Sequence, residues 1–290
     1  YGRSSGFVLD PIEKKPLAHV LPGSTILSFG TAGCNLACKY CQNWEISTSR
    51  DIDTLTAPAT PQALAAAASD AGAAGVAFTY NDPVIFAEYA IDTAAACREA
   101  GLASVAVSAG WISPEPCTEL FGAVDAANID LKGFTDDFYR RVTGARLTDV
   151  LDTLTRVRAL GTWLEITTLL IPGRNDSDAE IAAECAWIAA ELGAEVPVHF
   201  SAFHPAHRMR ETPRTPASTL ERARAIARDA GLAHVYLGNV RTRDGASTRC
   251  AGCGTLLVDR EGYRVTDYRI TSEGACPQCG RRVPGLWDPA

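Results

Sequence analysis

Short runs of β-branched and other apolar residues alternate along the chain with longer stretches in which apolar residues recur at helical spacing. The short runs have the length of strands and the longer stretches that of helices. Such alternation predicts an α/β protein with a parallel sheet. The predicted strands are Ser24–Gly30, Gly75–Tyr80, Ala103–Ala109, Ala126–Lys132, Thr162–Leu170, Val196–Phe203 and His234–Asn239. The predicted helices include Pro61–Ala71, Pro83–Ala100, Asp149–Leu160, Ser177–Leu192 and Pro216–Ala230.

Polar side chains occupy alternate positions of three predicted strands. Side chains two positions apart share a face, so one face of each strand is polar and the other apolar. The polar positions are Asn128, Asp130 and Lys132; Glu165 and Thr167; and His199 and Ser201. A doubly wound sheet would bury these residues under helices, whereas a barrel can point them into a ligand-filled interior. The pattern favours a partial or full β/α barrel with a polar, occupied interior.

The amino-acid composition and charge of the chain argue against some classes of function. Hydrophobic residues make up 47% of the 290, enough for a large core, and the formal net charge is −7. No lysine- or arginine-rich run is present, which argues against nucleic acid as the main ligand. No apolar run reaches the roughly 18 residues of a membrane-spanning helix. No signal peptide is visible, although the sequence opens on Tyr1. We expect neither a nucleic-acid partner nor membrane association.

The ten cysteines are unevenly placed, and seven of them fall into two tight clusters. Clusters of this kind are typical of metal binding in a reducing compartment, so we expect the protein in the cytoplasm. The first cluster is Cys34, Cys38 and Cys41, which directly follows the first predicted strand. Barrel enzymes place their chemistry at this end of their strands. The triplet is therefore the candidate reactive centre.

Three thiolates can bind three irons of a [4Fe–4S] cluster and leave the fourth iron without a protein ligand. An open coordination position marks a reactive metal site, and a closed shell marks a structural one. The alternatives are a structural zinc site with a distant fourth ligand, or simply buried thiols. Gly30 and Gly33 precede the first cysteine and favour a loop, which surrounds a cluster more easily than a helix does.

The second cluster marks a small C-terminal module. Helical periodicity stops near Gly245, and Cys250-x2-Cys253 and Cys276-x2-Cys279 bracket two strand-like runs. Four thiolates close the coordination shell, so we expect a structural metal, most simply zinc. A single iron or an auxiliary cluster is the alternative. The predicted domains are a barrel over residues 1–244 and a four-cysteine, zinc-ribbon-like module over residues 245–290.

The motif CNLACKYC resembles the CxxxCxxC motif of the radical S-adenosylmethionine (radical SAM) superfamily. An ordered set of further stretches resembles the radical protein of the AmmeMemoRadiSam system, a group similar to the activating enzymes of glycyl-radical enzymes. These stretches are DPIEKKPLAHVLPGS, GCNLACKYCQNWEIS, FTYNDPVIFAEY, NIDLKGF, EITTLLIPGRND, HFSAFHP and YLGNV. The resemblance runs over almost the whole chain and implies a β/α barrel of the radical SAM type.

The resemblance also implies a reaction. The open iron would bind the amino and carboxylate groups of S-adenosylmethionine, and one electron would cleave the sulfonium. The products would be methionine and a 5′-deoxyadenosyl radical that abstracts hydrogen from a substrate. The implied partners are S-adenosylmethionine, an electron donor such as flavodoxin or ferredoxin, and a substrate that is either a partner protein or a small molecule.

Individual roles follow from the matching motifs. Tyr40 matches an aromatic position near the adenine. Tyr80, Asn81 and Asp82 stand where relatives carry a Gly-Gly-Glu-Pro type motif, and Asp82 would accept a hydrogen bond from the methionine ammonium. Ordinary aromatic packing is the alternative for Tyr40, and a helix N-cap is the alternative for Asp82.

Two further strands carry candidates. Asp130 and Lys132 match an Asp-x-Lys motif, and Lys132 would contact the methionine carboxylate; a buried ion pair between the two is the alternative. The chain reads Val107-Ser108-Ala109-Gly110 where the activases carry Asp-Thr-Asn-Gly, and Ser108 is the residue that could reach the cofactor.

Strand parity or loop position adds Glu165, Thr167, His199 and His204 as candidate contacts to ribose or substrate. A lone histidine is more often a structural residue, and that alternative is kept for His199 and for His204. The competing hypothesis for the whole chain is a non-catalytic metal-binding adaptor whose C-terminal ribbon docks a partner.

Overall fold

A computed structural model describes residues 1–4, 6–50, 57–242 and 244–287 of the chain. The last three residues of the predicted C-terminal module, 288–290, lie outside the described part. The described strands are β1 (Arg3–Ser4), β2 (Phe7–Pro11), β3 (Thr25–Phe29), β4 (Ala57–Pro58), β5 (Gly75–Phe78), β6 (Ala103–Ser108), β7 (Ala126–Asp130), β8 (Trp163–Leu170), β9 (Val198–Ala202), β10 (Val235–Gly238), β11 (Thr248–Arg249), β12 (Leu256–Glu261) and β13 (Arg264–Tyr268). The described α-helices are α1 (Trp44–Ser47), α2 (Pro61–Asp70), α3 (Ala87–Glu99), α4 (Pro114–Ala123), α5 (Asp136–Phe138), α6 (Leu147–Leu160), α7 (Asp178–Trp187) and α8 (Ala217–Asp229).

Eight of these strands form one sheet in the order β10-β9-β8-β7-β6-β5-β3-β2. All neighbours are parallel except β2, which runs antiparallel to β3 at the edge. Within the described residues β2 and β10 do not pair with each other, so the sheet stays open between these two edges. The α/β prediction is confirmed, and the open sheet corresponds to the partial form of the predicted barrel. A separate three-stranded sheet, β11-β12-β13, carries the C-terminal cysteines.

The two faces of the large sheet differ as strand parity predicted. One face packs into the main hydrophobic core and contributes Ile129, Ile166 and Phe200. The opposite face carries a polar row, because the register pairs Asp130 with Thr167 and Thr167 with His199. The helices cover the apolar face, and the polar face lines the concave side.

Local signals explain where the helices begin and end. The Thr60 side chain accepts a hydrogen bond from Ala63 N at the start of α2, and Ser177 accepts one from Glu180 N at the start of α7. The predicted helix Pro83–Ala100 instead opens with a 3₁₀ turn, Pro83–Phe86, before α3. The predicted helix Ser177–Leu192 ends in a π-helical turn, Ile188–Leu192. Sequence reasoning missed the edge strand β2 and the helix α4.

The segment that follows β2 closes the base of the concave side. Its residues Ile12, Leu17 and Val20 form a second apolar cluster with Val105 and neighbouring small residues of the sheet. This base separates the polar row from the bottom of the barrel. It also provides the surface on which the C-terminal module docks.

Hydrogen bonds join the barrel, the base segment and the module. The buried guanidinium of Arg260 on β12 donates from Nη2 to Ala18 O at 2.7 Å and from Nη1 to Thr248 Oγ1 at 3.0 Å. Its Nε also faces Glu13 Oε1 at 3.3 Å. His19 contacts Tyr236 Oη and Pro284 O with its two ring nitrogens, each at 2.6 Å. The module is therefore attached through buried polar contacts.

Burial of His19 makes stability depend on pH. Desolvation and the nearby His234 lower the pKa of His19 to about 3. The unfolded chain takes up this proton near pH 6.5 and the folded chain does not, so stability falls as the pH drops below that value. We expect the free energy of unfolding to fall by about 1 kcal/mol more per pH unit in the native chain than in His19→Gln between pH 6.5 and 5.5.

Chemical denaturation at several pH values measures this slope. His204→Gln, the same substitution at a histidine outside this cluster, is the control. Equal slopes in the native chain and His19→Gln would show that His19 takes up its proton in the folded chain as readily as in the unfolded chain.

Candidate cofactor site and C-terminal metal site

The loop that carries Cys34, Cys38 and Cys41 leaves the carboxyl end of β3. Asn81 holds its start: Asn81 Oδ1 accepts from Thr31 N at 3.1 Å, and Asn81 Nδ2 donates to Gly33 O at 2.8 Å. Gly33 has a φ of +91°, a left-handed conformation that glycine adopts at little cost. The loop therefore turns back over the strand end, as the glycines before the first cysteine indicated.

Backbone hydrogen bonds fix the rest of the loop. Ala37 N donates to Thr143 O at 2.8 Å, and Lys39 N donates to Val142 O at 2.9 Å. Farther along, Arg208 N donates to Lys39 O at 2.9 Å. The first two contacts use the π-helical turn Tyr139–Thr143 as a support for the cysteines. The thiols are thus held by main chain from separate parts of the barrel.

The three cysteines line a cavity of about 270 Å³ at the carboxyl ends of the strands. Cys34 Sγ accepts a hydrogen bond from Leu36 N at 3.4 Å, and Cys41 Sγ lies 3.6 Å from Ser47 Oγ. Burial raises the pKa of Cys38 to about 11. The same cavity is lined by the predicted residues Tyr40, Tyr80, Asn81, Asp82, Ser108, Asp130, Lys132 and Thr167.

Asp82 has one acceptor position left for a ligand. Its carboxylate accepts from Ser108 Oγ at 2.9 Å, from Ala109 N at 2.8 Å and from Val84 N at 3.1 Å. An ionised carboxylate offers about four lone-pair sites. Burial raises its pKa, while these donors and Lys132 oppose the shift. The N-cap contact that was the alternative for Asp82 is present, and it leaves room for one more donor.

Lys132 likewise keeps donors for a ligand. Its Nζ donates to Asp130 Oδ2 at 2.8 Å, the ion pair that was considered for the Asp-x-Lys motif. An ammonium has three donors, so two remain. Burial alone would lower the pKa of Lys132, but Asp130, Tyr40 and Cys38 raise it, so the side chain stays charged. Among the described residues it is the one lysine that lines the cysteine cavity.

Two polar atoms that the structure describes at this cavity are buried without a partner. They are Tyr40 Oη and Thr167 Oγ1. Burying a hydroxyl without a hydrogen bond is costly, and such groups usually have a ligand or water to satisfy them. Together with the spare positions on Asp82 and Lys132, they fit an amphoteric, hydrogen-bonding ligand beside the thiols.

Tyr80 stands at the border of this cavity and a larger one. Its Oη donates to Asp10 Oδ2 at 2.9 Å, its carbonyl accepts from Asn43 Nδ2 at 2.7 Å, and its φ is +74°. Lys15 Nζ lies 4.9 Å from the centre of its ring. A left-handed tyrosine is a strained feature that recurs at ligand sites.

Glu165 and His199 are placed differently from the rest. Glu165 is fully buried and does not line the cysteine cavity. Its oxygens accept from Ala18 N and His19 N at 2.8 Å each, from Trp163 Nε1 at 3.1 Å and from His199 Nε2 at 2.6 Å. Four donors fill all of its acceptor positions. His199 lines only the larger cavity, so a cofactor role for this pair stays a prediction without support from the geometry.

Five residues that line both cavities were not among the predicted cofactor contacts. They are Gln42, Asn43, Thr79, Ser201 and Asn239. Ser201 shares the strand face of His199, and parity alone could have identified it. Asn239 has a φ of +60° at the end of β10, and Asn43 lies two residues after Cys41. For these two, proximity to a strand end or to the cysteines was the available signal.

The C-terminal cysteines are gathered as a single ion requires. Cys250 Sγ lies 3.6 Å from Cys279 Sγ, and Cys253 Sγ lies 3.7 Å from Cys276 Sγ. Four thiolates at about 2.3 Å from one ion stand about 3.8 Å apart in a tetrahedron. A cubane places each thiolate on a different iron and therefore farther from the others, so this spacing disfavours an auxiliary cluster.

The cysteine triplet is spaced more widely. All four C-terminal ligand atoms lie within 4.8 Å of one another, and among the described residues no second set of three or more ligand atoms is gathered as closely. The thiols of Cys34, Cys38 and Cys41 are therefore not gathered as closely as ligands of one shared ion would be. None of the described helices is long and apolar enough to cross a membrane.

Comparison with known families bears on the interpretation of the triplet. Residues 29–186 match the family described as the Radical SAM superfamily. The chain belongs to the radical SAM superfamily. This family implies a [4Fe–4S] cluster and S-adenosylmethionine, and the cysteine cavity has the donor set and the spare hydrogen-bonding positions that such a pair would need.

Related proteins align with this radical SAM chain over most of its length or over about half of it. "Uncharacterized protein MJ0808" of Methanocaldococcus jannaschii is 38% identical over 284 residues, which is 98% of this chain and 84% of that protein. Pyruvate formate-lyase-activating enzyme of Clostridium pasteurianum is 27% identical over 154 residues, 51% of this chain and 63% of that protein. The crystal structure of Streptococcus suis SuiB bound to S-adenosylmethionine superposes with a TM-score of 0.59 at 11% identity, covering 79% of this chain and 53% of that one. The SuiB likeness supports the fold.

A methyl group at Gly30 should displace the cysteine loop. A Cβ built there would lie 2.6 Å from Asn81 Oδ1 and 2.6 Å from Thr79 O. We expect Gly30→Ala to lower the free energy of unfolding by about 1–3 kcal/mol, because one of these groups must move. We also expect fewer irons bound per chain after reconstitution, since Asn81 holds the loop.

Gly122→Ala is the matched control, because a Cβ on this α4 residue would meet nothing within 4 Å. It should leave iron content unchanged and leave stability equal or higher. Native iron content in Gly30→Ala would contradict the role given to the Asn81 contact.

Proposed function

We propose that this chain is an enzyme that reductively cleaves S-adenosylmethionine at a [4Fe–4S] cluster and uses the 5′-deoxyadenosyl radical for hydrogen abstraction. The observation that carries the proposal is the single cavity that joins the three thiols to Asp82, Lys132 and the unpartnered hydroxyls of Tyr40 and Thr167. The bound cofactors would supply the one-electron chemistry. The protein residues would bind, orient and shield the ligand.

Each residue would have a distinct task. Cys34, Cys38 and Cys41 would ligate three irons and leave the fourth for the ligand's amino and carboxylate groups. Asp82 would accept from the ammonium with its remaining acceptor position, and Lys132 would donate to the carboxylate. Tyr40 would pack beside the adenine, and Thr167 would hydrogen-bond the ribose. Asn81 and Ser108 would act indirectly. Asn81 would hold the cysteine loop in place, and Ser108 would hold the Asp82 carboxylate.

The finer assignments are also proposals. The ordered motifs favour the radical protein of the AmmeMemoRadiSam system, and the C. pasteurianum relative favours an activating-enzyme type. Flavodoxin or ferredoxin is the proposed electron donor. None of the ten cysteines, all of which the structure describes, forms a disulfide bond, which supports a reducing compartment such as the cytoplasm. A non-catalytic metal-binding adaptor would have no use for the cavity that the three cysteines line, so we favour the enzyme.

We further propose zinc for the four-cysteine site of the C-terminal module, with a single iron as the alternative. The sulfur spacing supports one tetrahedral ion, and both metals accept four thiolates. The module's own apolar cluster is small and includes Leu257, Val258 and Ile270. Metal binding would therefore contribute much of its folding free energy.

Turnover of S-adenosylmethionine tests the main proposal. After anaerobic reconstitution with iron and sulfide and chemical reduction, the native chain should form 5′-deoxyadenosine and methionine. Cys38→Ser should lose this activity, because a cluster held by two thiols is poorly retained. Chromatographic quantification of 5′-deoxyadenosine is the measurement.

Cys97→Ala is the control, because Cys97 is buried in the main core away from the cavity. It should keep turnover in the folded fraction. Absence of turnover in the native chain, or full turnover in Cys38→Ser, would refute the proposal.

Removal of the metal from the four-cysteine site tests the structural role of the module. In protein that carries this metal but no cluster, a strong chelator should make residues 245–287 sensitive to protease while the helical circular dichroism of the barrel persists. Cys276→Ser should show the same cleavage pattern without chelator. Unchanged protease resistance after complete metal loss, measured by metal analysis, would show that the module's fold does not depend on an ion.

A further inference from the structure

A second, larger cavity adjoins the cysteine cavity. Its volume is about 1220 Å³, and it shares Asn43, Tyr80, Ser201 and Asn239 with the smaller one. A ligand of ordinary metabolite or cofactor size occupies a pocket of about 300–1,000 Å³. The larger cavity therefore has room for a second molecule whose reacting atom reaches the shared residues.

Its wall combines the barrel with the C-terminal module. The edge strand β2 contributes Val8, the base segment contributes Leu17, and the polar face of the sheet contributes His199 and Tyr236. The turn between β12 and β13 closes the side with Gly262 and Tyr263. The open edge of the sheet is thus not free surface, because the module covers part of it.

Most charges at this cavity are already paired. Lys14 and Lys15 both donate to Asp10, at 2.9 and 2.8 Å. Arg260 faces Glu13, and Glu261 pairs with Arg264 at 2.7 Å. These groups neutralise one another and hold the wall together.

Arg214 and Arg241 are different. Neither forms an ion pair with a carboxylate in the part of the chain that the structure describes. Arg214 Nη2 donates to Asn239 O at 2.9 Å, which places its guanidinium on the loop that reaches both cavities. The two arginines also line a recess of about 270 Å³ next to the large cavity.

Arg214 and Arg241 are exposed side chains that line a cavity in a chain whose formal net charge is −7. They lie on the loops that follow β9 and β10, at the carboxyl ends of the strands, where barrel enzymes bind substrates. Guanidinium groups match carboxylate and phosphate oxygens with paired hydrogen bonds. We propose that the large cavity binds the substrate of this enzyme and that Arg214 and Arg241 bind an anionic group of it, a carboxylate or a phosphate.

The term substrate rests on the proposed function, but the anion site is tested without turnover. Isothermal titration calorimetry of the full chain at constant ionic strength, with inorganic phosphate in one arm and succinate in the other, measures the site directly. We expect saturable binding of at least one probe, and the tighter one identifies the anionic group. Arg214→Gln and Arg241→Gln should each weaken that binding by about tenfold or more, as expected for loss of a charge-assisted hydrogen bond.

Arg228→Gln is the matched control, since Arg228 is an exposed arginine in the last turn of α8 and far along the helix from the cavity. It should bind the probe like the native chain. Arg214→Lys and Arg241→Lys keep the charge and should retain part of the affinity, which separates recognition from misfolding. Absence of saturable binding of both probes, or equal affinity in the native and glutamine variants, would overturn the proposal. Failure of S-adenosylmethionine cleavage would refute the proposed enzymatic function but would not contradict the proposed anion site.

Discussion

The carboxylate of Glu165 is the interaction on which the arrangement of the concave face depends. It is fully buried on β8, and burial alone would raise its pKa, yet His199, His19 and Ala18 lower the pKa to about 2. A shift of this size from an ordinary glutamate corresponds to about 3 kcal/mol of stabilisation of the charged form. Because Ala18 N and His19 N are among its donors, the same charge fixes the base segment against the sheet. Leu17 and Ala18 of this segment line the larger cavity, so its floor depends on the hydrogen bonds that Glu165 accepts.

The two buried acids Glu165 and Asp82 differ in how many of their acceptor positions are occupied. At the base, Glu165 has all acceptor positions filled. At the carboxyl ends of the strands, Asp82 and Lys132 keep unused positions, and Tyr40 Oη and Thr167 Oγ1 have no partner among the described residues. Buried groups without partners are costly, so a protein retains them where a ligand completes the hydrogen bonds. The number of acceptor positions already filled, more than the residue type, distinguishes the structural Glu165 from the candidate ligand-binding Asp82.

Sequence reasoning predicted what depends on local periodicity. Strand parity placed Asp130, Thr167 and His199 on one face, and the cap at Thr60 followed from local chemistry. The sequence alone could not show that Glu165 is a structural residue and Asp82 a candidate ligand-binding residue, because both are acidic residues at polar-face or strand-end positions. Their difference arises from the distant donors Ala18 N and His199 Nε2 in one case and from Ser108 Oγ in the other. The edge strand β2 was missed because its exposed Phe7, Val8 and Leu9 lack the alternation of a half-buried strand.

The position of the C-terminal module against the barrel could not be predicted from the spacing of its cysteines. The cysteine pattern predicted a metal site, but nothing in the sequence indicated that Arg260 would be buried against Ala18 O and Glu13. If the module were released, Glu13 would lose this ion pair in a site where its other oxygen already lacks a partner among the described residues. The ion at Cys250, Cys253, Cys276 and Cys279 would thus support more than its own ribbon: it would hold Arg260 and the Gly262–Tyr263 turn in place, and with them the outer wall of the larger cavity.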